Sequence, residues 1–216
     1  MARRKLSLPA LIALAVWPCA IVCAQNKPAV IEIANSPIPI RVLVQSPADT
    51  NTDLQVICLF RSSPVNTLHG ALTETNEKLQ GLLDRVRSPQ LFRGELGETL
   101  LLTPPKNSVA ARKLLIIGLG DSQTFSPQRM QLVGTILYAE ASRLGVANPF
   151  FAPTILDGGV SKFTTGEVSE QVIAGFLRAG DTDKAANASS GKRVASLTYL
   201  AGQQHADETR AGTEHP

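Results

Sequence analysis

Two nearly continuous apolar segments most constrain how this chain can fold. They lie at residues 54–60, where Gln55 is the one polar residue, and at residues 113–120, where two glycines close the segment. A strand with one exposed face alternates apolar and polar residues, whereas a strand covered on both faces is apolar almost throughout. The two segments therefore predict strands that lie inside a sheet covered on both sides.

Segments with helical periodicity alternate with these strands. Leucines at helical spacing predict a helix over residues 67–86. A second helix is expected from Ser126, as the capping residue before a proline, to Gly145. Thr164 and Glu167 have the spacing of a capping box that would begin a third helix. Strands that alternate with helices predict an α/β fold with a mostly parallel or mixed sheet.

Shorter segments complete the predicted organisation. Residues 25–52 contain four prolines around two β-prone segments, Val30–Ile33 and Ile40–Val44, which are expected as edge strands or an extended arm. Residues 180–191 are predicted to form a loop, and residues 202–216 a polar tail that is frayed or partly helical. Further strands are expected at residues 98–103, 148–153 and 193–201.

Residues 1–24 have the composition of an export signal. Basic residues at positions 3–5 precede an apolar segment that ends at Trp17 and is too short to span a bilayer as a helix. Residues 22–24 are the small or apolar residues of a cleavage site. Cleavage after Ala24 would release a secreted or periplasmic protein, and a retained N-terminal anchor is the alternative.

Charge and cysteine content exclude several classes of function. The formal net charge of +3 lies in the signal, because without it the 21 Lys and Arg residues fall to 18, equal to the 18 Asp and Glu residues. A neutral chain gives no reason to expect a nucleic acid partner. Cys19 and Cys23 also leave with the signal, so Cys58 alone remains and cannot form an intrachain disulfide. Its apolar strand predicts that Cys58 is buried and unreactive.

The spacings that are typical of catalytic and metal sites do not occur in the sequence. The three histidines, His69, His205 and His215, have no H-x-x-x-H spacing, and no C-x-x-C motif accompanies them. A G-x-S-x-G nucleophile elbow and a G-K-[ST] phosphate loop are missing as well. The sequence therefore predicts no catalytic residue, no metal ligand and no cofactor.

Two glycine-containing loops are the candidates for a ligand cleft. Gly118 and Gly120 follow a predicted strand and precede a helix, where backbone N–H groups can face an anion. The dinucleotide fingerprint needs a third glycine three residues later, so a tight turn is the favoured interpretation of this loop. Asp157, Gly158 and Gly159 follow another predicted strand, where α/β folds bind ligands, with an ordinary turn as the alternative.

The order of these elements resembles the N-terminal domain of the leucyl aminopeptidase, or cytosol aminopeptidase, family. The resemblance covers residues 53–200 and implies a macro-domain-like, three-layer α/β/α sandwich with a mixed sheet, as one domain over residues 53–201. The segments that carry it are DLQVICLF at 53–60, LQGLL at 79–83, FRGELGE at 92–98, LLIIGLG at 114–120 and EQVIAGFL at 170–177.

The departures from that family shape the expected function. The family's chemistry belongs to a second, C-terminal domain, which holds two metal ions and carries an N-T-D-A-E-G-R signature that does not occur in this sequence. The resemblance therefore implies an exported, stand-alone, non-catalytic domain that binds a small ligand or a protein. Two alternatives stay open. One is the non-catalytic part of a metalloaminopeptidase whose catalytic domain is on another chain, and the other is a structural domain that mediates homo-oligomer contacts.

Overall fold

The computed structural model describes residues 30–33, 36–62, 67–87, 91–186 and 193–214. The predicted export signal, its cleavage site and His215 lie outside the described residues, as does the part of the predicted loop beyond Ala186.

Within the described residues, seven strands form one mixed sheet. In chain order they are β1 (Val30–Ile33), β2 (Ile40–Val44), β3 (Gln55–Leu59), β4 (Thr99–Leu102), β5 (Leu114–Gly118), β6 (Phe150–Ala152) and β7 (Leu197–Ala201). Their order across the sheet is β1-β2-β7-β6-β3-β5-β4. The five inner strands are parallel, and β1 and β4 are antiparallel strands at the two edges. This arrangement confirms the predicted α/β fold with a mixed sheet.

In the part of the chain that the structure describes, five α-helices cover the two faces of the sheet. They are α1 (Gly70–Lys78), α2 (Leu82–Val86), α3 (Met130–Arg143), α4 (Thr165–Ala186) and α5 (Ala206–Glu214). The side chains of β3 point alternately to the two faces of the sheet. Val56 and Cys58 belong to the core beneath α3, α4 and α5, whereas Ile57 and Leu59 pack with α1 and α2. The molecule is therefore a three-layer sandwich with a hydrophobic core on each side of the sheet.

The first apolar segment is a central strand, as predicted. β3 lies between β6 and β5, all five of its residues are buried, and Cys58 is 0% exposed. Burial raises the pKa of the Cys58 thiol well above its ordinary value. The Thr154 hydroxyl accepts a hydrogen bond from the Cys58 N–H (3.0 Å) and donates one to the Cys58 carbonyl (2.7 Å), which fixes the strand where its pairing with β6 has ended.

Three predictions about residues 40–129 need correction. β2 is an inner strand between β1 and β7, because Pro39 and Pro47 flank it and no proline interrupts its hydrogen bonding. The helix predicted over residues 67–86 is two helices, since the backbone at Gln80 and Gly81 is left-handed (φ 54° and 77°). Ser126 makes no side-chain cap, because a 3-10 turn at Pro127–Arg129 precedes α3.

The C-terminal half has one confirmed capping box and more helix than the sequence predicts. The Thr164 N–H donates to the Glu167 carboxylate (2.8 Å), and the Glu167 N–H donates to the Thr164 hydroxyl (3.1 Å). α4 then continues to Ala186, so the loop predicted from residue 180 was wrong over its first part. The buried Gly180 packs against Ile38 and Tyr138, which holds this last part of the helix on the core. The predicted polar tail includes α5, which packs on α4.

Candidate functional site

A cavity of about 420 Å³ lies at the carboxyl ends of β2, β7 and β6. The last residues of these strands, Val44, Ala201 and Ala152, all line it. The three strands are parallel neighbours, so their carboxyl ends meet at one edge of the sheet. β7 is the last strand in the chain but lies between β2 and β6, and such a change of strand order is where α/β sheets form ligand crevices.

The walls of the cavity come from both faces of the sheet. α1 contributes Ala71 and Glu74 from one face, and α4 contributes Thr165 and Val168 from the other. The apolar part of the lining is formed mainly by Ala152, Ile155, Leu156, Phe163, Val168 and Ala201. Ligand pockets commonly combine such an apolar lining with a few fixed polar groups.

Asp157 is a half-buried carboxylate in this cavity, beside the start of α1. Its side chain accepts a hydrogen bond from the Ala71 N–H (3.3 Å), and its carbonyl accepts one from the His69 N–H (2.9 Å). Gly70 has a left-handed φ of 47°, and a Cβ atom there would lie 2.2 Å from the Asp157 carboxylate. Burial raises the pKa of Asp157, and the Ala71 N–H and the charges of His69 and His205 oppose this rise only in part.

Glu74 is the other carboxylate of the cavity, and it already has a cation. Its carboxylate accepts a hydrogen bond from the Ser46 hydroxyl (2.6 Å) and lies 3.2 Å from the Lys78 ammonium. Asp157, by contrast, makes no ion pair with any residue that the structure describes. Of the two carboxylates, Asp157 is therefore the better placed to pair with the positive charge of a ligand.

The start of α4, on the other side of the cavity, is closed by carboxylates of the chain itself. The Thr165 N–H and hydroxyl both donate to Glu208 of α5, at 3.1 and 2.7 Å, and Glu167 closes the capping box with Thr164. These bonds lower the pKa of Glu208. Helix N-termini attract anions, and here internal carboxylates already occupy that position.

Tyr199 of β7 also borders the cavity. Tyr199 is 1% exposed, and its hydroxyl is buried without a hydrogen-bond partner among the described residues. Burial raises the pKa of Tyr199 well above its ordinary value, so the phenol keeps its proton. A buried hydroxyl without a partner is uncommon in folded proteins, and this one lies in the middle of β7.

The structure places the predicted cleft residues in two different surroundings. Asp157 lines the cavity, whereas Gly158 lies behind it against the Phe60 ring. Gly159 is exposed and does not belong to the lining either.

The first glycine loop lies apart from the cavity, beneath residues 94–98. The Gly118 N–H donates to the backbone carbonyl of Glu98 (2.7 Å), and the Gly120 N–H donates to the backbone carbonyl of Gly94 (2.8 Å). A Cβ atom at Gly118 would lie 2.1 Å from the Glu95 carbonyl, which explains the glycine by close backbone approach. The N–H groups of this loop are therefore used within the fold.

Sequence reasoning missed most of the cavity. Ser46 and Gln45 follow β2, which was expected as an arm or an edge, and Gln203 and His205 follow β7 in what was expected as a tail. A polar residue directly after a strand was the available signal, but it identifies a site only once the strand order is known.

The described residues contain no group of three or more His, Cys, Asp and Glu side chains arranged to hold a metal ion. Of the helices within the described ranges, none combines the length and the apolar character that crossing a membrane requires.

Solved structures with the same fold include a peptidase and macrodomains. A mutant of tomato leucine aminopeptidase superposes with a TM-score of 0.59 at 20% identity, over 87% of this chain and 37% of that chain. The macrodomain of Oceanobacillus iheyensis superposes with a TM-score of 0.58 at 11% identity, over 86% of this chain and 95% of that chain. At these identities the superpositions show a shared fold alone, and they confirm the predicted macro-domain-like architecture.

Sequence comparisons identify the family. The probable cytosol aminopeptidase of Thermosynechococcus vestitus is 29% identical over 106 residues, which are 47% of this chain and 21% of that protein. The probable cytosol aminopeptidase of Roseiflexus castenholzii is 25% identical over 173 residues, which are 80% of this chain and 32% of that protein. The chain thus matches a third or less of the length of these relatives.

The N-terminal domain of the cytosol aminopeptidase family matches residues 56–185, from the central strand β3 to the end of α4. The match includes four of the five segments that carry the resemblance in the sequence, at 79–83, 92–98, 114–120 and 170–177, and most of the fifth, at 53–60. This chain therefore belongs to the cytosol aminopeptidase family, through the N-terminal domain of that family.

Proposed function

We propose that this chain is a non-catalytic binding domain of the cytosol aminopeptidase type, and that a small molecule in the cavity is its ligand. The observation that carries the proposal is the cavity itself, at the carboxyl ends of three parallel strands and with walls from both layers of helices. Its volume of about 420 Å³ lies in the range of small-molecule sites. The proposal includes export, for which the basic and apolar sequence of residues 1–24 is the support.

Ligand binding by the same fold supports this proposal. Structures of the Oceanobacillus iheyensis macrodomain with ADP and of the Trypanosoma brucei macrodomain with ADP-ribose each superpose on this chain with a TM-score of 0.58. At 12% identity they share the fold of this chain, and the side chains of its cavity decide which ligand it takes.

Binding in the cavity is tested with three aromatic probes of similar size: 2-phenylethylamine, 2-phenylethanol and 3-phenylpropionate. Ligand-detected NMR on the purified full chain is expected to show binding of at least one probe. The Ala71→Trp variant should lose this binding, because Ala71 lines the cavity and an indole there would fill it. The matched control is Ala139→Trp, at an exposed position on α3. Binding of no probe, or equal binding to the Ala71→Trp variant, would overturn the proposal.

The second candidate function is the non-catalytic part of a metalloaminopeptidase whose catalytic domain is on another chain. Family membership favours it, as does the coverage of 37% of the tomato leucine aminopeptidase chain. Such a partner would copurify with this chain and would carry the N-T-D-A-E-G-R signature that this sequence lacks.

Both candidate functions predict that the purified chain alone does not hydrolyse peptides. Turnover of leucine p-nitroanilide with added Mn²⁺ or Zn²⁺ should equal the buffer control, because no metal site is predicted from the sequence. The matched sample is the eluate of the same purification from cells that do not express the chain, which reports contaminating peptidases alone. Activity that follows the chain through successive purification steps would contradict the non-catalytic assignment.

A further inference from the structure

We propose that the cavity selects ligands with a protonated amine on an apolar body, and that Asp157 binds the ammonium group. This inference rests on the proposed function, since it names the chemical class of the ligand for the same cavity. It depends on the charges of the lining, on the partners of its carboxylates and on the groups at the nearby helix N-termini.

The charges that line the cavity are negative. Its described lining includes the carboxylates of Glu74 and Asp157 and the imidazole of His205, but no Lys or Arg. Charges at the wall of a partly enclosed cavity are screened less than charges on an open surface. The lining therefore favours a cation over a neutral group, and a neutral group over an anion.

Asp157 is the carboxylate that can accept an external cation. Glu74 pairs with Lys78, an ammonium that it shares with Asp49, whereas the Asp157 side chain receives one backbone N–H, at 3.3 Å, and has no ion pair with a described residue. A half-buried carboxylate without a counter-ion is unfavourable, and its raised pKa is the expected consequence. An ammonium group would supply both the missing charge and further hydrogen-bond donors.

The charged and titratable groups around Asp157 permit this role. His69 and His205 lie close enough to interact with the carboxylate, and Glu74 is on the same helix as Ala71. Within the described part of the chain, neither histidine forms an ion pair with the Asp157 carboxylate.

For anionic ligands, by contrast, the N–H groups that could bind them are already occupied by acceptors of the chain itself. A phosphate usually binds to free N–H groups at a helix N-terminus, but Asp157 occupies the start of α1, and Glu208 and Glu167 occupy the start of α4. The glycine loop at residues 118–120 uses its N–H groups within the fold. The cavity thus differs in charge from a site for ADP-ribose, although the fold is shared.

The remaining lining suits an apolar ligand body. Ile155, Phe163 and Val168 face the cavity together with the strand ends. Tyr199 borders it too, with its buried hydroxyl unpartnered among the described residues. A compact aromatic or branched aliphatic body would cover apolar surface while its amine reached Asp157.

The test is a titration of the purified full chain with four probes at pH 7.5: 2-phenylethylamine, 2-phenylethanol, 3-phenylpropionate and ADP-ribose. The amine is expected to bind at least about tenfold more tightly than the alcohol, and the two anionic probes more weakly than the alcohol. If 3-phenylpropionate or ADP-ribose bound more tightly than the amine, the inference would be overturned, although the cavity would still be a binding site. Binding of none of the four probes would overturn the proposed function and this inference together.

The variant Asp157→Asn isolates the charge. Its amide oxygen can still accept the Ala71 N–H, so the start of α1 is preserved. The affinity for the amine should fall about tenfold, with the affinity for the alcohol unchanged within about twofold, which also shows that the cavity is intact. Asp53→Asn, at an exposed position that pairs with Arg112, is the matched control and should change neither affinity. If Asp157→Asn and Asp53→Asn bound the amine with equal affinity, a group other than Asp157 would be responsible for the selectivity, and the proposed role of Asp157 would be wrong.

Discussion

Replacing Gly134 with Val is expected to lower the free energy of unfolding by about 3 kcal/mol or more, because α3 and α4 touch there backbone to backbone. A Cβ atom at Gly134 would lie 2.0 Å from the carbonyl oxygen of Val172 and 2.8 Å from the Phe176 nitrogen. Both obstructing atoms belong to the backbone of α4, so no change of side-chain rotamer can make room. The helices would have to move apart and expose part of the core between them.

The same contact is repeated on the other helix. A Cβ atom at Gly175 would lie 2.0 Å from the carbonyl oxygen of Gln131 on α3. The Gln131 amide also donates to Gln171 at 2.6 Å, so polar groups hold this crossing as well. Each glycine therefore sets the distance between the two helices, and a substitution at either one should have a similar effect.

The control for this prediction is Ala139→Val, which places the same side chain at an exposed position of α3. It should change the free energy of unfolding by about 0.5 kcal/mol or less. Equilibrium unfolding in urea, followed by circular dichroism, measures both variants. A Gly134→Val variant as stable as the control would show that the helices lie farther apart than in this structure.

Local patterns account for what the sequence predicted correctly. The strands β3 and β5 are apolar, apart from Gln55, because both of their faces are buried, and that signal is contained in a few consecutive residues. The capping box of α4 is equally local, since Thr164 and Glu167 bond to each other across one turn. Such features can be recognised without any knowledge of the tertiary structure.

The cavity depends on contacts between residues far apart in the chain, and for this reason the sequence revealed little of it. β7 lies between β2 and β6, and only this pairing brings Ser46 and His205 to the same edge as Asp157. Gly134 and Gly175 also could not be interpreted from the sequence alone, because a glycine within a helix normally indicates a less stable helix. Here each of them is explained by a backbone atom of the neighbouring helix.

Replacing Cys58 with Asp is expected to prevent folding of the chain at neutral pH. Cys58 is 0% exposed on the central strand, and the hydrogen bonds of its backbone to Thr154 hold its position. The two side chains are similar in volume, so the effect would come from burial of a carboxylate without a partner. Circular dichroism and size-exclusion chromatography should show an unfolded or aggregated protein.

The variant Cys58→Ala separates charge from packing. It removes one buried sulfur and should lower the free energy of unfolding by about 1 kcal/mol or somewhat more, with probe binding unchanged, since Cys58 does not line the cavity. In the unmodified protein, a thiol reagent should react with the cysteine of β3 only at the rate of unfolding, because burial holds the thiol protonated and inaccessible. The full chain also contains Cys19 and Cys23, so the labelled position has to be located by peptide mass analysis. Rapid modification of Cys58 in the folded protein, or a folded Cys58→Asp variant, would contradict the place of β3 at the centre of the sheet.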